Sequence, residues 1–391
     1  LPHVTVSGIT VGKTKDITVG MVTVTPDLWS LASSTKVIKS IDIDGLMLTQ
    51  KAIDRIPAWT KTDAKPGAPA QPPAVRVESI RLDDAVVKLQ KVSFGPFDAR
   101  VSLTDDGNPE SASIATRDGK LTALIKPNKS KYLIDVSAKG WKPPVGPAIH
   151  FDELMIKGVA TLNDANLIDI RAKLYGGSMT GKMTVGWDKG IRFKGNAEVN
   201  QVEIKPLLQA LGRPPTLSGK LTARPVVFSA SAAKPDQIVD ALRLETPFDV
   251  QSGVLHGIDI KKAATSLISR EGGKGGETHF EKLSGHLALD RGTRRLTQLN
   301  VVSGSLSADG NVTVNPQDEL SGRINTKVAA ATVPLNVSGT VESPLLLPTG
   351  ATMTGAAVGT AILGPGFGTT IGSAVGQWTQ GLFGKKEEKK K

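Results

Sequence analysis

The sequence predicts a mainly β chain: a long antiparallel, twisted sheet shaped as a groove, with a few short helices and a Gly-rich C-terminal tail. Three observations predict it. Apolar residues recur at every second position through most of the chain, the spacing that places them on one face of a strand. Gly (41) and Pro (24) are abundant in 391 residues, and Asp-Gly steps punctuate the alternating runs. Aromatics are only 4% of the chain, too few for a large ring-filled enzyme core, and helical spacing occurs only in short stretches.

The elements follow in order. The opening LPHVTVSGITVG is already in strand rhythm, so the expectation is that further N-terminal material precedes it. Residues 1–59 read as an N-terminal strand block with a candidate helix at 50–56. Residues 60–74, rich in Pro and Ala, read as an extended or disordered linker. Residues 75–230 form a central groove segment. In it Phe97, Ala99, Val101 and Leu103 alternate with polar residues, as do Tyr132, Ile134, Val136 and Ala138, and then Ile168, Ile170, Ala172 and Leu174. In LYGGSMTGKMTVGW, Met179, Gly181, Met183, Val185 and Trp187 share a face, and IRFKGNAEVN repeats the device with Ile191, Phe193 and Gly195. Residues 231–342 form a C-terminal groove segment with LSGRINTKV and VPLNVSGTV. Hairpin turns are expected at Asp106-Gly107, Asp118-Gly119, Asp188-Lys189-Gly190 and Asp309-Gly310. Short helices are expected at 204–211 and 258–270. Each follows a similar strand, NAEVNQVEIK and QSGVLHGIDIK, which makes a weak internal repeat. Residues 270–278, REGGKGGET, read as a flexible loop.

The tail, residues 343–391, carries no charge before its Lys-rich end, KKEEKKK. Gly355 and Gly359, and then Gly364, Gly368, Gly372 and Gly376, form small-residue ridges at helical spacing. Pro365 and Gly366 interrupt them, leaving arms shorter than the roughly 20 residues of a membrane span. A helical hairpin that packs on itself, inserts shallowly or plugs an end of the fold is the favoured reading. A disordered tail and a true span are the others.

Composition narrows the function. With no cysteine, disulfide scaffolds, thiolate metal sites and cysteine nucleophiles are excluded. The five histidines, His3, His150, His256, His279 and His286, include no pair at i, i+4, so no metal site is predicted. GGKGG lacks the order and the strand-to-helix placement of a phosphate-binding loop. No Gly-x-Ser-x-Gly elbow precedes a helix, and the acid pairs Asp83-Asp84 and Asp105-Asp106 fall at expected turns. No enzyme activity and no cofactor are predicted. The net charge of +11 is spread along strands without aromatic platforms, which favours anionic lipid head groups over nucleic acid.

What covers the apolar face decides the reading. A second sheet would make an ordinary sandwich. Against it, the face is built of Ala, Gly, Val and Met, poor core fillers, and no helical layer interrupts the strands. Roughly sixteen strands at about 4.8 Å each would instead line a gutter on the order of 75 Å long. A gutter of that kind must be occupied, and acyl chains suit it. Met179, Met183, Val185, Ile191, Phe193, Leu221, Val312, Val314 and Ile324 are the candidate lining residues.

The run GWKPPVGPAIHFDELMIKGVATLNDANLIDIRAKLYGGSMTGKMTVGW resembles the AsmA family of Gram-negative envelope proteins. So do THFEKLSGHLALDRGTRRLTQLNVVSGSLSADGNVTV, with Thr278, Phe280, Leu283 and Gly285 in the family's spacing, and the opening block to IDIDGL. The resemblance extends over most of residues 1–342. It implies a taco-like β-groove in the periplasm, an inner-membrane anchor through an N-terminal helix, and a part in moving phospholipids toward the outer membrane and in outer-membrane homeostasis. A partner at the outer membrane is expected at the C-terminal end. The family supplies no catalytic residues to carry over. The rival readings are an assembly factor for outer-membrane proteins acting through an exposed strand edge, a structural or adhesive cell-surface β-repeat protein, and a hydrolase of envelope polymers.

Overall fold

A computed structural model describes residues 2–12, 14–52, 75–88, 93–144, 146–188, 190–234, 237–265, 274–328 and 331–349. The chain is mainly β, with 22 strands among these residues against the sixteen or so expected. The predicted linker at 60–74 lies outside the described residues, as do 53–56 and 266–270 of two candidate helices and the tail from residue 350; the first residues of that tail, expected to begin at 343, instead form a strand at Pro344–Pro348. Close contacts divide the chain into two units, Leu1–Lys173 and Leu174–Lys391.

In the first unit the strands are β1 (Val4–Val11), β2 (Ile17–Pro26), β3 (Lys36–Asp44), β4 (Met47–Thr49), β5 (Val75–Val77), β6 (Ser79–Lys88), β7 (Ser93–Leu103), β8 (Pro109–Thr116), β9 (Leu121–Asn128), β10 (Lys131–Trp141), β11 (Phe151–Ala160) and β12 (Asp164–Leu174). From β6 onward they form an antiparallel meander. The expected antiparallel order fails at one place. Strands β5 and β6 run parallel to β3, and β6 runs parallel to β4 as well. Parallel neighbours cannot be joined by a two-residue hairpin, so no hairpin signal in the sequence marks this pairing. The register aligns the apolar positions across strands: Ala123 faces Val136, Val136 faces Ile156, and Ile156 faces Ile170. The opposite face is mostly polar, with Leu124, Leu133 and Met155 exposed on it, and ion pairs such as Lys173–Glu153 (3.0 Å) cross it.

One residue of the predicted apolar stripe leaves it. Ile168 is 59% exposed, whereas Leu167 pairs with Gly158. A β-bulge at Lys157/Gly158 shifts the register there, and a one-residue slip sends a side chain to the other face.

The second unit contains β13 (Gly177–Gly186), β14 (Ile191–Glu203), α1 (Ile204–Ala210), β15 (Leu217–Ala232), β16 (Arg243–Ile258), α2 (Ile260–Thr265), β17 (Lys274–Asp290), β18 (Thr293–Ser303), β19 (Leu306–Val314), β20 (Leu320–Val328), β21 (Ala331–Gly339) and β22 (Pro344–Pro348). Two expectations are corrected. Residues 274–278, read as loop, begin β17. Asp309-Gly310, read as a turn, lies inside β19. A Cβ on Gly310 would meet the Arg323 carbonyl oxygen at 2.1 Å, so this glycine serves close strand approach and not a reversal. Trp187 stands just past the end of β13 and is 45% exposed.

Three of the aromatic rings of this unit cover glycines. Phe228 pairs across strands with Gly195, Phe248 with Gly285, and Phe280 with Gly253. Each ring fills the space a side chain would take, which extends the apolar face without widening the strand spacing. A Cβ on Gly253 would meet the Ser218 carbonyl oxygen at 2.2 Å and the Phe280 ring at 2.4 Å. Gly253→Ala is therefore expected to lower stability by about 1–3 kcal/mol, an overpacking cost that denaturant unfolding measures.

The core sits in the C-terminal strands. Val250, Val333 and Leu335 are 0% exposed and Leu346 is 2%. Helix α2 packs on it through Ile260, Ala263 and Ala264. Asp259 caps this helix, accepting from the Lys262 N–H at 2.8 Å. Buried Thr278 accepts from the Ile260 N–H (3.0 Å) and donates to the Ile258 carbonyl (2.9 Å), which ties the helix to β17.

Candidate apolar binding groove

The register of the second unit builds one continuous apolar face. Leu221 stands opposite Val250, Val250 opposite Leu283, Leu283 opposite Val301, and Val301 opposite Ala308. A parallel row runs from Thr246 through Leu287, Leu296 and Val312 to Gly322 and Val337. The sheet curls on this face, so that β22 approaches β16 and β17. The loop after α1 also reaches the β19–β20 turn, where Arg213 lies 3.4 Å from Asp318. Asp318 accepts a hydrogen bond from Arg294 as well, and that bond, with Arg213 beyond it, holds its carboxyl below the usual carboxylate range. A depressed carboxyl favours the folded unit above its ordinary titration range, and the contribution is lost as pH falls below that range.

The curl forms a half-open cavity of about 400 Å³, within the range of small-molecule sites. Leu217, Phe248, Val250, Leu255, Leu283 and Leu299 are among its walls. Of the candidate lining residues, Leu221, Val312, Val314 and Ile324 line it. Val314 (5% exposed) and Ile324 (8%) are also packed as core. Met179, Met183, Val185, Ile191 and Phe193 lie outside the cavity, half-buried on β13 and β14. They belong to the same face: Met179 pairs with Val199, Val199 with Ala223, and Ala223 with Phe248 in the cavity wall. Phe193 meets Phe228 edge-on, with ring centroids 6.0 Å apart. The candidates therefore fall into an approach outside the cavity and a half-open seat within it.

Several wall residues went unnamed in the sequence reading, chiefly those of β16 and β17. The alternation Leu244, Thr246, Phe248, Val250 was there to be read, but nothing local tells which part of a long face is enclosed. The resemblance residues now have physical roles. Thr278 anchors α2, Phe280 covers Gly253, Leu283 lines the cavity, and Gly285 makes room for Phe248.

Polar groups at the cavity are few. His256 is among its lining residues, with Nδ1 2.8 Å from Glu277 Oε1, and that hydrogen bond holds the Glu277 carboxyl below its usual range. Behind the cavity wall, outside its lining, fully buried Thr326 pairs with Ala308 and Val333, and its hydroxyl has no partner among the described residues. A buried unpaired hydroxyl costs about 1–3 kcal/mol. Thr326→Val, which keeps the shape and removes the hydroxyl, is expected to raise the unfolding midpoint in urea. Among the described residues no group of three or more His, Asp or Glu is placed to hold a metal ion.

A sheet that keeps one face apolar over ten strands, curls on it and leaves a cavity walled by it defines a β-groove protein. The AsmA family model matches residues 105–299, from the turn before β8 to β18, and the chain belongs to the AsmA family, a family of the bacterial envelope. The match is narrower than the resemblance, and the opening strand block lies outside it. No curated protein and no solved structure matches the chain.

Proposed function

We propose that this chain is a non-enzymatic lipid conduit, or a segment of one, in the periplasm of a Gram-negative envelope. It would carry phospholipid acyl chains toward the outer membrane and so support outer-membrane homeostasis. One observation carries the reading: the apolar face of β13–β15 leads in register into an apolar cavity walled by β15–β22. Burial there is worth about 0.8 kcal/mol per methylene and needs no directional contact. Head groups stay in water along the open side. An unbroken apolar track lowers the barrier to movement, because no methylene has to be returned to water between one strand and the next.

Membership in an envelope family supports the placement. Attachment to the inner membrane is part of the proposal. Among the described residues no helix is long and apolar enough to cross a membrane, so the attachment is assigned to other segments. The test is lipid extraction and mass spectrometry of the chain purified without detergent. Co-purified phospholipid at a fixed molar ratio is the expected result. A chain that emerges folded and free of lipid, and takes up none from vesicles, would sink the conduit.

A further inference from the structure

The 3-10 turn η1 (Leu28–Ala32, LWSLA), between β2 and β3, is inverted relative to an ordinary protein surface. Its serine is inside and its large apolar side chains are outside. Ser30 is 7% exposed, whereas Trp29 is 90% exposed, the highest value for a large apolar side chain among the described residues. Leu28 and Leu31 beside it are 49% and 52% exposed.

The inversion is held by hydrogen bonds and is not a loose excursion. Ser30 Oγ donates to the Asp27 carbonyl at 2.7 Å and accepts from the Val37 N–H at 2.8 Å. Ser33 Oγ donates to the Ser30 carbonyl at 2.7 Å, and the Asp27 N–H donates to the Val37 carbonyl at 2.9 Å. The turn is thus pinned to β3 through its polar residues, with Trp29, Leu28 and Leu31 left on the outside.

Charge complements this surface. Lys36 Nζ donates to the Leu31 and Ser33 carbonyls at 2.6 Å each, so an ammonium group stands at the end of the turn. Lys39 is near as well, 3.6 Å from Asp27, while Arg76, opposite Val37 on β5, is paired with Glu78 and Asp105. A Trp flanked by Leu and Lys on a rigid tip matches the chemistry of the bilayer interface. Indole rings concentrate at head-group level, and cations there are drawn to anionic lipid. Five residues are too few for a spanning segment or an in-plane amphipathic helix, so the contact is a shallow wedge.

We propose that η1 is a membrane-surface wedge: Trp29, Leu28 and Leu31 enter the head-group region of an anionic bilayer while Lys36 and Lys39 lie against lipid phosphates. This goes beyond the conduit reading and does not depend on it, because the wedge shares no residue with the groove.

The test uses the full chain with Trp59, Trp141, Trp187 and Trp378 changed to Phe, so that Trp29 alone reports. Vesicles of phosphatidylglycerol with phosphatidylcholine should shift its emission to the blue and shield it from iodide. Vesicles of phosphatidylcholine alone should do so less. In the chain with all five tryptophans, Trp29→Ser with Leu31→Ser should lower the vesicle-bound fraction about tenfold at limiting lipid, with the melting temperature unchanged. That arm needs only surface substitutions, so it stands if the single-tryptophan chain folds poorly. Equal vesicle binding by the double variant overturns the proposal. So does emission already blue-shifted without lipid, which would mean cover by the chain itself, or a shift that follows protein concentration and not lipid, which would mean a second copy.

Discussion

Met183→Lys combined with Phe193→Asp is expected to strip the purified protein of bound lipid while its far-ultraviolet β signal persists. Both side chains are half-buried on the open approach, in adjacent rows of β13 and β14. Each change places a charge where three or four methylenes of an acyl chain would lie. Losing those contacts costs about 2–3 kcal/mol, on the order of a hundredfold in affinity, before any cost of desolvating the charge. The sheet itself should tolerate the pair. Their backbone ladder is intact, and the chief packing lost is the edge contact between Phe193 and Phe228, worth about 1 kcal/mol. Lipid retained at the wild-type ratio would remove β13 and β14 from the track. Lipid lost from these variants but kept by Leu221→Lys would instead place the binding surface outside the cavity.

The second large effect concerns stability. Leu335→Ala is expected to destabilise the second unit by about 2–5 kcal/mol, because Leu335 is fully buried between Ile324 and Pro348 and truncation leaves a cavity. Whole domains are stable by only about 5–15 kcal/mol, so urea unfolding should shift visibly. Val4→Ala is the contrasting variant. Val4 sits on the apolar side of β1 but is 62% exposed, and its loss should stay within about 0.5 kcal/mol. Equal effects at the two sites would mean that the core is not concentrated in β17–β22.

Much of this architecture was legible in the chain because the side-chain period of a strand is two and local. Ala99 to Leu103, Tyr132 to Ala138 and Met179 to Val185 fall on apolar faces by spacing alone, and each pairs with apolar residues across the ladder, whereas Phe97 stands opposite Thr116. The two C-terminal helices were expected near where α1 and α2 lie, because short apolar runs at helical spacing follow similar strands. The misses share a cause. Ile168 turns outward because of a bulge whose other half is on β11, and Asp309-Gly310 became mid-strand because β20 approaches it. The parallel pairing of β3 with β6 depends on a return path that no hairpin signal announces.

The β character, the two-faced strands, the poverty of reactive groups and the family resemblance are all legible in the residues alone. All of these rest on neighbours in the chain or on composition. Only the folded chain shows how the second unit curls, which stretch of its apolar face lines the half-open cavity near Leu221, Val312 and Ile324, and which lies half-buried on the approach at Met179 and Phe193. It also shows that Trp29 points away from the protein while Ser30 points in. The physical reason is one of range. Alternation says that a side chain faces one way or the other. Only strands tens of residues apart, brought together by register and twist, set what it faces.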